Sequence, residues 1–93
     1  MAEWHFAQTD PADQLAILHH FWMKKSEGGN DIEFVITVKE FATPKEETMR
    51  FFATADKQVF QKGAPFHPVG WGNSLLKALA ECVAQIKQFP YED

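Results

Sequence analysis

Gly70-Trp71-Gly72-Asn73-Ser74, followed by Leu75-Leu76-Lys77-Ala78-Leu79-Ala80-Glu81-Cys82-Val83-Ala84-Gln85-Ile86-Lys87-Gln88, is the stretch from which the architecture is read. Leu76, Leu79, Ala80, Val83 and Ile86 recur at helical spacing, and Leu75 and Cys82 widen the stripe. Lys77, Glu81, Gln85 and Gln88 fall towards the other side. Asn73 or Ser74 caps the start by accepting from the first free backbone N–H groups. Pro90 marks the stop, because the residue before a proline avoids the α region. An amphipathic helix is therefore expected over Leu75 to Gln88, and its stripe must be buried against another layer.

Upstream, Lys62 to Gly72 is punctuated by Gly63, Pro65, Pro68, Gly70 and Gly72 and reads as an irregular loop. Its rings, Phe66 and Trp71, argue for a loop pinned against the fold rather than a free linker. Asp31 to Phe41 is the clearest strand. Ile32, Phe34, Ile36 and Val38 alternate with Glu33, Val35, Thr37 and Lys39. Thr43-Pro44-Lys45-Glu46-Glu47 reads as a hairpin loop, Thr48 to Ala55 as the return strand, and Gln58 to Gln61 as a short third strand. Towards the start, Thr9-Asp10-Pro11-Ala12-Asp13 has the form of a helix opening, with a cap, a proline in the first turn and a dipole-matched acid. A first helix is expected from about Pro11 to Lys25, with Leu15, Leu18, His19 and Trp22 on one face and Gly28-Gly29 as its stop. Met1 to Gln8, with Trp4, His5 and Phe6, reads as a short strand or a segment packed over the core.

Ninety-three residues make one domain over 1–93, and nine Phe and three Trp imply an aromatic core. The net charge of -4 disfavours nucleic acid and anionic membranes as partners of the whole surface. A single cysteine excludes an internal disulfide, and Cys82 on the stripe reads as a small buried hydrophobe. Neither a signal-peptide pattern nor a run of ~18 apolar residues is present, so the default reading is a soluble cytoplasmic protein. The expected class is α+β in the order α-β-β-β-α, a small antiparallel sheet covered on one face by two helices.

That order resembles the double-stranded-RNA-binding domain. The local carriers are Gly70-Trp71-Gly72-Asn73-Ser74 with Ala78 and Ala80 beyond, near the Gly-x-Gly-x-Ser start and spaced alanines of that family's second helix. The resemblance implies the fold. In the family, lysines after the serine meet phosphates; here Leu75 and Leu76 stand there and only Lys77 is basic, so RNA binding is not carried over.

The chemistry-bearing candidates are few. Gly70, Trp71, Gly72, Asn73 and Ser74 form a weak anion or ligand site at a helix start, or a turn that lets Trp71 cover the core edge. Ser74-Leu75-Leu76-Lys77 matches Ser-x-x-Lys without the companion motifs of the penicillin-recognising enzymes, and a capping serine is the simpler reading. His19 and His20 diverge on a helix, and His5 with His67 and a carboxylate has no supporting spacing, so no metal or cofactor is expected. Glu46-Glu47 and Glu92-Asp93 read as solvated pairs. The sheet face opposite the helices holds Val35, Phe41 and Phe52 among Thr37, Lys39, Arg50 and Thr54. Apolar groups on an uncovered face mark a contact site, here for a protein partner or a homodimer through Val35, Phe41, Arg50 and Phe52. The functional expectation is a non-enzymatic interaction module acting through that face or the aromatic 65–72 loop. The alternatives are a nucleic-acid-binding module, or a small enzyme or anion-binding protein built on residues 70–77.

Overall fold

In the computed structural model, residues 3–91 are described. Strand β1 runs Ala16–Glu27, β2 Asn30–Phe41, β3 Phe51–Ala55, β4 Val59–Gln61, β5 Ala64–Phe66 and β6 Val69–Gly72, and helix α1 runs Leu75–Gln88. Short 3-10 helices occupy Glu3–Ala7, Pro11–Asp13 and Glu47–Met49. The main sheet has the order β1-β2-β3-β6, antiparallel throughout, and β4-β5 form a separate two-stranded hairpin.

The class is thus α+β, but one helix covers the sheet where two were expected. The first helix is replaced by a strand. Pro11 does open a helical turn, with the Asp10 carboxylate accepting from the Ala12 N–H at 2.9 Å, but Gln14 turns left-handed at φ 47° and the helix stops there. From Ala16 the chain pairs with β2 over twelve residues, Ala16 opposite Phe41 and Glu27 opposite Asn30. Gly28 and Gly29, at φ 57° and 82°, are therefore the two-residue turn of a hairpin rather than a helix stop. Positive φ at both central positions matches the twist of the flanking strands, which is why two glycines stand there. The element order is β-β-β-β-β-β-α in place of α-β-β-β-α.

Two further boundaries move. The return strand begins at Phe51, because Glu47–Met49 forms a 3-10 turn ahead of it. The expected 62–72 loop contains β5 and β6, so Gly70, Trp71 and Gly72 are strand residues paired with Ala53, Phe52 and Phe51. Of the expected Met1–Gln8 segment, Glu3–Ala7 forms a 3-10 helix rather than a short strand, with His5 buried, and Met1 and Ala2 lie outside the described residues. Glu92 and Asp93 lie outside the described residues.

Helix α1 forms where expected and lies on one side of the sheet, against β6, β3 and β2. Phe34, Ile36 and Val38 from β2, Ala53 and Ala55 from β3, and Ala78, Cys82 and Ile86 from α1 make the buried core, closed at one end by Val59. The sheet residues are small or flat where the helix approaches. A Cβ on Gly70 would collide with the Ala78 carbonyl oxygen and lie 2.9 Å from the Cys82 nitrogen, and one on Gly72 would lie 2.6 Å from the Lys77 Cβ. The Gly-x-Gly spacing lets a helix backbone lie directly on a strand. At ~3.3 Å per residue the β1–β2 hairpin is about 40 Å long, against a longest molecular dimension of 48 Å.

Candidate interaction surface

Residues directly opposite one another in an antiparallel pair point to the same side. The register therefore assembles three rows on the side of the sheet away from α1. Leu18, Lys39, Phe52 and Trp71 form one; His20, Thr37, Thr54 and Val69 form the next; Trp22 and Val35 form the third. Leu18 is 53 % exposed, Trp22 60 %, and Val35 and Trp71 39 % each. Phe52 and Trp71 are in contact with ring centroids 4.4 Å apart and planes tilted by 40°. The expected contact residues Val35, Phe41 and Phe52 belong to this surface by register, but Arg50 is occupied nearby. Its guanidinium donates to the Glu47 carboxylate at 3.0 to 3.2 Å, and its carbonyl accepts from the Phe41 N–H.

Polar groups on this surface are matched locally. The Trp22 indole N–H donates to Glu33 Oε1 at 3.1 Å, and His20 Nδ1 meets Thr37 Oγ1 at 3.0 Å. Lys24 Nζ lies 3.7 Å from Asp31 Oδ2, and Ser26 donates to the other oxygen of that carboxylate. The Ser26 hydroxyl first and the Lys24 charge second hold the Asp31 carboxyl below its ordinary value. Lys24 and Lys39 thus balance Asp31 and Glu33, so the apolar rows carry no net charge on a chain of -4.

At the Phe41 end the surface sinks into a cavity of about 210 Å³ lined by Phe41, Pro44, Met49 and Trp71, with Gln14, Thr43 and Lys45 completing the wall. The left-handed Gln14 is one of two non-glycine residues with positive φ among those described. The other, Lys62, belongs with Gly63 to the turn between β4 and β5, where such angles are ordinary. A second, wider depression of about 650 Å³ is lined by Asp56, Lys57, Gln58, Phe60, His67 and Tyr91. Its charged groups are tied to backbone: Asp56 accepts from the Val35 N–H and Lys57 donates to the Glu33 carbonyl.

The helix-start candidates have structural employment. The Ser74 hydroxyl accepts from the Lys77 backbone N–H at 3.1 Å as the N-cap of α1, with Asn73 exposed beside it. Gly70 and Gly72 face α1 while Trp71 between them points to the uncovered side. Cys82 is fully buried, donates to the Pro68 carbonyl at 3.4 Å, and burial, with the Glu81 charge second, pushes its thiol up to about 11. His67 meets the Ala55 carbonyl, while His5 stacks edge-on to Trp4 and lies 4.0 Å from Glu40, which His19 reaches at 3.0 Å. The structure therefore joins His5 to His19 and Glu40, not to His67. Both ring nitrogens of buried His5 lack a hydrogen-bond partner, and among the described residues no group of three His, Cys, Asp or Glu side chains is placed to hold a metal ion. Glu40 pairs with Ile17 and Phe51 on the helix side, so the N-terminal helix leaves the apolar rows uncovered at this contact.

Leu18, Trp22 and Val69 are surface members that the sequence reading missed. Leu18 and Trp22 fall within the expected first helix, and Val69 within the expected 62–72 loop. Exposure alternates strictly along 17–27 in the folded strand, but the sequence carries no such alternation, since Ile17, Leu18, Phe21, Trp22 and Met23 put apolar side chains on both faces. No helix among the described residues is long and apolar enough to cross a membrane. No family model, curated protein or solved structure matches the chain.

Proposed function

We propose that this protein is a non-enzymatic interaction module that associates through the side of its sheet opposite α1. The observation carrying this reading is the continuous set of Leu18, Trp22, Val35, Phe52, Val69 and Trp71 on a surface whose charges cancel. A sheet stabilised on one side by a helix needs polar groups on the other; three aromatic rings and three aliphatic side chains there favour a second protein layer at sheet-packing distance. A cytoplasmic setting belongs to the same reading, since the chain relies on one buried thiol and no disulfide.

Sedimentation across a wide concentration range tests it. The expected outcome is reversible association that Phe52→Glu abolishes while the circular dichroism spectrum is kept. A single monomeric species at every concentration, identical in Phe52→Glu, overturns self-association.

A second reading has one observation in its favour. The Phe52–Trp71 contact beside Lys39 presents exposed aromatic surface on which bases could stack. The balanced charges oppose it, because phosphate contacts supply most of the affinity for nucleic acid. A gel shift at low salt with single-stranded and structured RNA decides it; the expected result is no shift.

A further inference from the structure

We propose that the occupant of the uncovered surface is a second copy of this chain, and that Trp22 of each copy seats in the cavity between Phe41, Met49 and Trp71 of the other. This rests on the reading above and specifies its partner.

The cavity holds about 210 Å³, below the range of sites built for drug-sized ligands (~300 Å³ and above) and suited to one large side chain. Its walls are two aromatic rings, a methionine and a proline, the surroundings in which interface anchors are found. Trp22 is the most exposed of the large apolar side chains in the rows and the kind of side chain that serves as such an anchor. It stands opposite Val35, six residues along β2 from Phe41, or about 20 Å. Anchor and socket therefore occupy opposite ends of one surface.

That placement suits a two-fold. Any two points on a surface are exchanged by a two-fold axis lying in the contact plane midway between them, so one rotation seats both tryptophans. The midpoint falls near Thr37 and Lys39, the centre of the rows, and the remaining apolar residues are then enclosed between the copies.

Charge points the same way. The Trp22 indole is hydrogen-bonded to Glu33, so the carboxylate accompanies the ring. Lys45 stands in the cavity wall, exposed, and makes no ion pair among the described residues. Seating Trp22 brings Glu33 of one copy to Lys45 of the other, twice per dimer. Elsewhere a chain of charge -4 repels its twin; on this surface the signs balance and at the cavity they oppose.

The test uses the whole chain and sedimentation equilibrium. Trp22→Ala is expected to weaken dimerisation about tenfold or more, the loss of one anchor at each of two sockets. Glu33→Lys and Lys45→Glu should each weaken it, and the double variant should recover most of the loss; both positions are exposed, so folding is not at stake. A dimer broken by Phe52→Glu but indifferent to Trp22→Ala, or not rescued by the double exchange, overturns the cavity docking and leaves the surface reading standing. Indifference to Phe52→Glu as well overturns both. A monomer at every concentration overturns the second copy as occupant.

Discussion

At the scale of single residues, two positions show how the helix and sheet constrain each other. Gly70 faces the backbone of α1, and the atoms its side chain would strike are a carbonyl and an amide that cannot rotate away. Gly70→Ala should therefore force the helix off the sheet and cost about 1–3 kcal/mol, the usual toll of overpacking, readable as a lower urea midpoint. An unchanged midpoint would mean that α1 does not lie where described. Cys82 gives a pH signature. Its thiol holds its proton in the folded state up to about pH 11, well above the ordinary value of 9.0. The unfolded chain loses that proton first, so the stabilising contribution is complete below about pH 9 and is lost as pH rises towards 11, on the order of 2 kcal/mol in all. Cys82→Ala should flatten that part of the stability–pH curve, and the native thiol should resist a thiol reagent at neutral pH until the protein is unfolded.

At the scale of elements, the sequence was informative where a segment has one apolar side and ambiguous where it has two. α1 keeps its expected bounds with Ser74, rather than Asn73, as its cap, but its buried face is turned from the expected stripe: Ala78, Cys82 and Ile86 are buried while Leu76 is 74 % exposed and Ala80 is exposed. β2 alternates buried Phe34, Ile36 and Val38 with exposed Glu33, Val35 and Lys39, as its sequence pattern predicts. β1 is apolar on both sides, with Ile17, Phe21 and Met23 towards the core and Leu18 and Trp22 away from it, so helical and strand periods fit equally well. Its local cues also mislead: Pro11 really opens a helical turn, and paired glycines serve a helix stop or a hairpin turn alike. The candidate surface inherited that ambiguity. Val35 and Phe52 were identified from β2 and β3, but Leu18 and Trp22 were hidden by the helical reading, and the glycine-rich β6 passed for a loop. The hairpin turn offers the test. Gly28→Asn should be nearly neutral, because asparagine tolerates left-handed angles, whereas Gly29→Val at φ 82° should cost about 1–2 kcal/mol. Equal effects, measured by urea unfolding, would speak against the two-residue turn.

At the scale of the whole molecule, residues 89–91 act as a strap. Lys25 of β1 donates to the Phe89 carbonyl at 2.7 Å, Glu27 accepts from the Tyr91 N–H at 3.0 and 3.2 Å, and Phe60 donates to the Pro90 carbonyl at 2.8 Å. Tyr91 meets Phe34 edge to face and Phe89 meets Phe66 likewise, so the strap joins the tip of the long hairpin to the small one. The two ties to β1 each cross 64 residues of sequence, and contacts of such separation form late. During synthesis the hairpin would leave the ribosome well before its fastening exists. Until residue 91 emerges, the outer end of that hairpin, Trp22 included, lacks the clasp that fixes it to β4 and β5.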